Sequence, residues 1–148
     1  MSILTKSFVA LIAIAVAMQL VPYGKNHVNP PVVREPVWDS PATRNLVKQA
    51  CFDCHSNETV WPWYSRIAPF SWLVYHDVAE AREELNFSDW QGGTGKAEKP
   101  QKVAKEVQSG DMPPFQYKIA HPEARLDDAT RKALLDGLTA TMNAATKR

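Results

Sequence analysis

The order of apolar and polar residues divides the chain into one unbroken apolar stretch, one segment with no period, and several stretches at helical spacing. The apolar stretch runs from Phe8 to Val21, interrupted at Gln19, with Lys6 before it and Pro22-Tyr23-Gly24 ending it. Its length suits the hydrophobic core of a signal peptide. Counted from Ile3, with Lys6 reaching for the headgroups, a helix would cover about 28 Å, enough for a short membrane anchor. Ala15-Val16-Ala17 has the form of a cleavage site but lies inside the apolar run. Residues 1–22 are therefore read as a signal anchor, with a cleaved signal peptide as the alternative. Residues 23–39, with Asn29, Pro30, Pro31 and Pro36, show no helical period and are read as an extended linker. Residues 40–148 are the domain.

Within the domain the spacing is helical. Ser40-Pro41 is a helix start, serine as cap and proline at the first helical position, and Leu46, Val47 and Ala50 form an apolar stripe reaching Cys51. From Ser56 to Phe70, aromatics and prolines fit neither helix nor strand, which predicts an irregular loop. Ser71 is read as the cap of a helix through Leu85, with Leu73, Val74, Val78 and Leu85 inward and Glu80, Arg82, Glu83 and Glu84 facing water. A turn-rich connection follows from Asn86 to Gly95. Its Gly92-Gly93-Thr94-Gly95-Lys96 is not a phosphate loop, because the required preceding glycine and following hydroxyl are here Trp90 and Ala97. A third helix is expected from Pro100 to Gln108, stopped by Gly110, and Asp127 caps a fourth whose buried stripe is Leu134, Leu135, Leu138 and Met142. The class is all-α.

Charge excludes more than it suggests. Lys and Arg number 17 and Asp and Glu 16, so no excess points to nucleic acid. Four tryptophans, Trp61, Trp63, Trp72 and Trp90, crowd the region after the first cysteine, which suggests a bulky flat partner to pack on.

Both cysteines of the chain stand in Cys51-Phe52-Asp53-Cys54-His55. This is the C-x-x-C-H haem-attachment signature: two thiols on one helical turn can add to the two vinyl groups, leaving the next residue beneath the iron. Cys51 and Cys54 are then the covalent attachment points of one haem c, and His55 the proximal iron ligand. Other readings stay open. A thioredoxin-type pair needs a β-α-β context and a helix beginning at the first cysteine, whereas here the helical pattern precedes it. Zinc would have to recruit two of His27, His55, His76 and His121 at poor spacings. A disulfide leaves His55 unexplained.

Given haem, the 56–70 loop is read as wrapping it, with Trp61, Trp63 and Tyr64 on its face rather than in an ordinary core. Met112 is the expected distal ligand, in a loop stiffened by Pro113-Pro114, and His121 is the alternative. His76 lies mid-helix and His27 in the linker. Arg66 is the candidate partner of a haem propionate, and the Pro69 carbonyl the candidate acceptor of the His55 ring N–H.

Residues 51–74, together with Asn86-Phe87-Ser88-Asp89-Trp90, Asp111-Met112-Pro113-Pro114 and His121-Pro122-Glu123-Ala124-Arg125-Leu126, resemble the haem-binding domain family of bacterial cytochrome-c-like proteins. Thr130 and His76 depart from its pattern without touching the haem residues. The resemblance implies a cytochrome c-like helical domain behind an amino-terminal anchor. The expectation is a single-haem c-type cytochrome on the periplasmic side of a bacterial inner membrane, passing single electrons between redox donor and acceptor proteins, and not an enzyme. The alternative is a haem-based redox or gas sensor, or a weak peroxidase, with an open or displaceable sixth site. A third reading has haem merely stapling a small fold.

Overall fold

In the computed structural model, which describes residues 2–90 and 100–146, helix starts fall where short polar caps meet helix-compatible residues. Ser2 Oγ accepts the Thr5 amide and begins α1 (Ile3–Gln19); Ser40 Oγ accepts the Thr43 amide at 3.1 Å and, with Pro41 at the first position, begins α2 (Pro41–Ala50). Cys51 continues the turn into the short α3 (Phe52–His55). The 56–70 segment is largely irregular, with one 3-10 turn at Trp63–Arg66. It leads into α4 (Phe70–Glu84). Then come α5 (Pro100–Ser109), α6 (Phe115–Ala120), a 3-10 turn at Pro122–Ala124, and α7 (Asp128–Thr146), whose first turn is capped by Asp127 Oδ1 accepting the Thr130 amide at 2.7 Å. Among the described residues there is no strand, only an isolated bridge between Arg34 and Asp89. The Gly92–Lys96 loop lies outside the described residues.

Two expectations for α4 are corrected. Ser71 does not cap α4: the helix begins two residues earlier than a Ser71 cap would give, with Pro69 in the cap position, and Ser71 is fully buried on its inner face. Arg82 does not face water either. It donates to the Ser56 carbonyl, Asn29 Oδ1 and Thr59 Oγ1, because α4 turns that side toward the chain around α3.

The core is built by α2, α5 and α7 with the segment 85–90. Val47 and Ala50 pack with Phe52, Leu85, Phe87, Trp90, Val103, Val107, Leu134, Leu138 and Met142. At about 1.5–3 kcal/mol for each fully buried large side chain, this cluster supplies most of the drive to fold. Phe87 is stacked on Phe52 at 5.9 Å and on Trp90 at 6.2 Å. Trp90 is therefore a core residue rather than part of a surface awaiting a flat partner.

The linker is extended as its prolines predict, but it is no free tether. Val33 and Arg34 amides donate to the Ser88 carbonyl, Asn57 Nδ2 to Pro31, and the Asp39 amide to Thr141 Oγ1. Glu35 takes a two-point bond from Arg44 of α2 at 2.6 and 2.7 Å. The segment straps the helices together.

α1 is apolar and exposed along its length, with 17 residues covering about 26 Å. No helix among the described residues is long and apolar enough to cross a membrane, so the spanning anchor expected from Ile3 to Val21 is not supported. The helix stops at Gln19, because that side chain leaves the apolar pattern for the domain. Its amide pairs with both backbone groups of Ala68, each at 3.0 Å.

Candidate haem-attachment site

Cys51, Cys54 and His55 are set on one turn by backbone geometry. The Cys51 amide donates to Val47 at 2.8 Å, closing α2, and the Cys54 and His55 amides both donate to the Cys51 carbonyl. Phe52 points the other way, into the core, and roots the turn. Asp53 fastens the outside: its carbonyl accepts from Thr59 Oγ1, Oδ1 from the Val60 amide, and Oδ2 from the Tyr117 hydroxyl at 2.7 Å.

His55 Nδ1 lies 3.1 Å from the Ala81 carbonyl and 3.0 Å from that of Leu85, at the C-terminal end of α4. Carbonyls only accept, so Nδ1 carries a proton, and the neutral ring so held has its lone pair on Nε2, the tautomer a metal-ligating imidazole requires. This corrects the expectation for Pro69. Its carbonyl is taken by the Trp72 and Leu73 amides in the first turn of α4, whereas the imidazole docks at the other end of the helix, sharing the Ala81 carbonyl with the Leu85 amide and reaching the Leu85 carbonyl just past the last turn.

Both cysteines are free thiols, and burial pushes each up to about 12; the neighbouring Cys54 adds to the effect on Cys51, and Asp53 and Asp77 add to it on Cys54. A thioredoxin-type pair needs the opposite shift. Among the described residues no group of three or more His, Cys, Asp or Glu side chains is placed to hold a metal ion. Haem iron needs only one or two protein ligands.

The other expected residues separate into two groups. Trp63 and Tyr64 sit in the 3-10 turn. Trp63 is 75% exposed and meets Tyr64 edge-on, and Tyr64 meets Phe70, itself 56% exposed. Arg66 is exposed in the same turn. Trp61 instead stacks on His27 of the strap at 4.5 Å and donates to Asn29 Oδ1. Met112 lies in the loop between α5 and α6, 37% exposed, where Gly110 at φ +84° turns the chain. His121 is differently placed: Nε2 faces the Tyr64 hydroxyl at 3.2 Å, Nδ1 faces Glu123 at 3.0 Å, and the ring stacks on Tyr117 at 4.0 Å. Iron ligation by His121 would first have to break a bond at one ring nitrogen. His76 is exposed on α4 beside Glu80.

Sequence reasoning missed α6, and with it Tyr117, the residue that ties this helix to the attachment turn. The signal was present in Phe115 and Ile119, four apart on one face after a proline, but six residues are too few for periodicity to speak. Phe115 is 73% exposed and Ile119 also lies open, as do Ile67, Phe70 and Leu73. Large apolar side chains in such number rarely face water without a ligand or partner. Two thiols and an imidazole stand together on one turn of the same domain.

The haem-binding domain family matches residues 13–140. No curated protein and no solved structure matches the chain. The match spans the strap, the attachment turn, the Met112 loop and most of α7, and the chain belongs to the haem-binding domain family.

Proposed function

We propose that this is a mono-haem c-type cytochrome that carries single electrons outside the cytoplasm. The observation that carries the reading is the imidazole of His55, held by the Ala81 and Leu85 carbonyls on the same turn as the two cysteines. Haem supplies a one-electron couple between ferric and ferrous iron. The chain's residues do the rest. Cys51 and Cys54 retain the cofactor through thioether bonds, His55 ligates through Nε2, and the carbonyls on Nδ1 fix its ring and raise its basicity. Met112 would be the second residue to hold the iron, favoured over His121 because both ring nitrogens of His121 already face hydrogen-bonding groups. Trp63, Tyr64 and Phe70 exclude water, which disfavours the added charge of ferric iron. The electron donor and acceptor are redox proteins of the same compartment.

The apolar α1 serves export, whether it is then cleaved or keeps the domain at the lipid surface of the inner membrane. A helix whose run from Phe8 to Met18 is apolar and largely exposed, meeting the domain near its last turn through Gln19, suits a lipid or translocon environment.

The test is the absorption spectrum of the ferric protein made with the haem-attachment machinery. A weak long-wavelength sulfur-to-iron band that vanishes in Met112→Ala supports the carrier. A second reading, a sensor or weak peroxidase with a displaceable sixth ligand, draws on the exposure of Met112. It predicts rapid carbon monoxide binding to the ferrous wild type, where the carrier predicts slow binding. Absence of covalent haem would sink both.

A further inference from the structure

Basic and acidic residues nearly balance over the whole chain, 17 against 16, but the lining of one concavity at the Met112 loop holds cations and no carboxylate. A cavity of about 120 Å³ there is lined by Met112, Pro113 and Leu126 and by three cations, Lys118, Arg125 and Arg131. Each cation is held by backbone oxygen. Lys118 Nζ donates to the Gly110 carbonyl at 3.0 Å. Arg125 donates Nε and one terminal nitrogen to the Lys118 and Ile119 carbonyls, and Arg131 donates to that of Leu126. Carbonyls orient these groups without cancelling their charge. Among the described residues only Asp128 forms an ion pair with any of the three, 3.5 Å from Arg131 and fully exposed itself. Of the nearby carboxylates, Asp111 bonds Ser109 and Asp127 caps α7, while Glu123, bonded to His121, also lies in the field of Arg125 and offsets part of that one charge. Three positioned cations around one concavity, with unspent N–H donors on both guanidinium groups, match the geometry of an oxyanion.

We propose that this cavity binds one oxyanionic group, a carboxylate or phosphate, beside Met112. Its source is either a propionate of the haem, in which case the assignment rests on the haem reading, or a free oxyanion from solution.

The experiment uses the full-length protein, with haem attachment checked on a denaturing gel and folding by circular dichroism. Inorganic phosphate is titrated by calorimetry, and the propionate bending band is followed by resonance Raman. Lys118→Gln and Arg131→Gln are compared with Asp128→Asn and with a distant control, Lys48→Gln. Arg125 is spared because its bonds close the end of α6. If the source is free oxyanion, phosphate binds the wild type, about tenfold more weakly to each of the two cation variants and more tightly to Asp128→Asn. If the source is a propionate, the holoprotein takes up no phosphate, and the bending band moves in Lys118→Gln and Arg131→Gln but not in Lys48→Gln. Phosphate binding that is equal in all variants, or no binding with an unmoved band, overturns the proposal. The phosphate arm reads with or without haem, so failure of the haem reading is seen separately.

Discussion

Asp53 stands between the two cysteines, and all three of its oxygens in use fasten the attachment turn to something else: Thr59, Val60 and Tyr117. Tyr117→Phe removes the donor at Oδ2 and keeps the ring stacked on His121. A hydrogen bond to a carboxylate in a half-buried place is worth about 1–2 kcal/mol, so the variant should melt a few degrees lower with its haem spectrum unchanged. An unchanged melting temperature would mean that the bond contributes nothing in solution. Glu35 supports a pH prediction. The hydrogen bond from Arg44 holds its carboxyl below the ordinary value of 4.5, with Trp38 adding a second bond and burial opposing. A depressed folded value contributes stability that is present above pH 4.5 and lost as pH falls through the lower folded value. Glu35→Gln should therefore cost about 1 kcal/mol at neutral pH, after solvent screening, and almost nothing near pH 2. Urea unfolding at the two pH values checks it; equal losses at both would count against the Arg44 bond as the cause.

Between elements, close approach does what caps and stripes cannot. Gly137 of α7 rides against Thr43 of α2: a Cβ at Gly137 would come 2.1 Å from Thr43 Oγ1. Gly137→Ala gains about 1 kcal/mol of helix propensity but overpacks the crossing, for a net loss of about 1–2 kcal/mol. Adding Thr43→Ala, which removes the two nearest atoms and leaves Cβ at 2.9 Å, should restore part of it, read as a non-additive pair in denaturant unfolding. Independent, additive losses would show that the two helices do not meet so tightly in solution. Gly24 is stricter, since its φ of +74° and a Cβ position 2.2 Å from the Ser71 carbonyl leave no room for any side chain. Helix starts at Ser40-Pro41 and Asp127 were legible because the cap acts on amides within three residues. The Gly137 and Gly24 contacts were not, because their partners are distant in sequence and carry no pattern.

Taken as a whole, the molecule ties its apolar N-terminal helix to the loop of the attachment site through the Gln19–Ala68 pair. If α1 is retained in lipid, the full-length protein should pellet with membranes and resist an alkaline wash, whereas a cleaved chain should appear in the periplasmic extract. Much could be read in one dimension: the attachment turn, because C-x-x-C-H is a local motif whose chemistry depends only on spacing along one helical turn; the all-α class, because periodicity repeats every few residues; and the absence of a periodic element over 23–39. Chain-folding alone could settle the rest. The acceptors of the His55 ring are carbonyls, which every residue has, so no side chain in the sequence marks Ala81 and Leu85. Trp61, Trp63 and Trp90 share one residue type and part ways, to the strap, the surface and the core, because burial depends on which distant segments arrive. The three cations near Met112 are spread over 118–131 in a nearly neutral chain, and they make a site only where α6, the following turn and α7 bring them to one cavity.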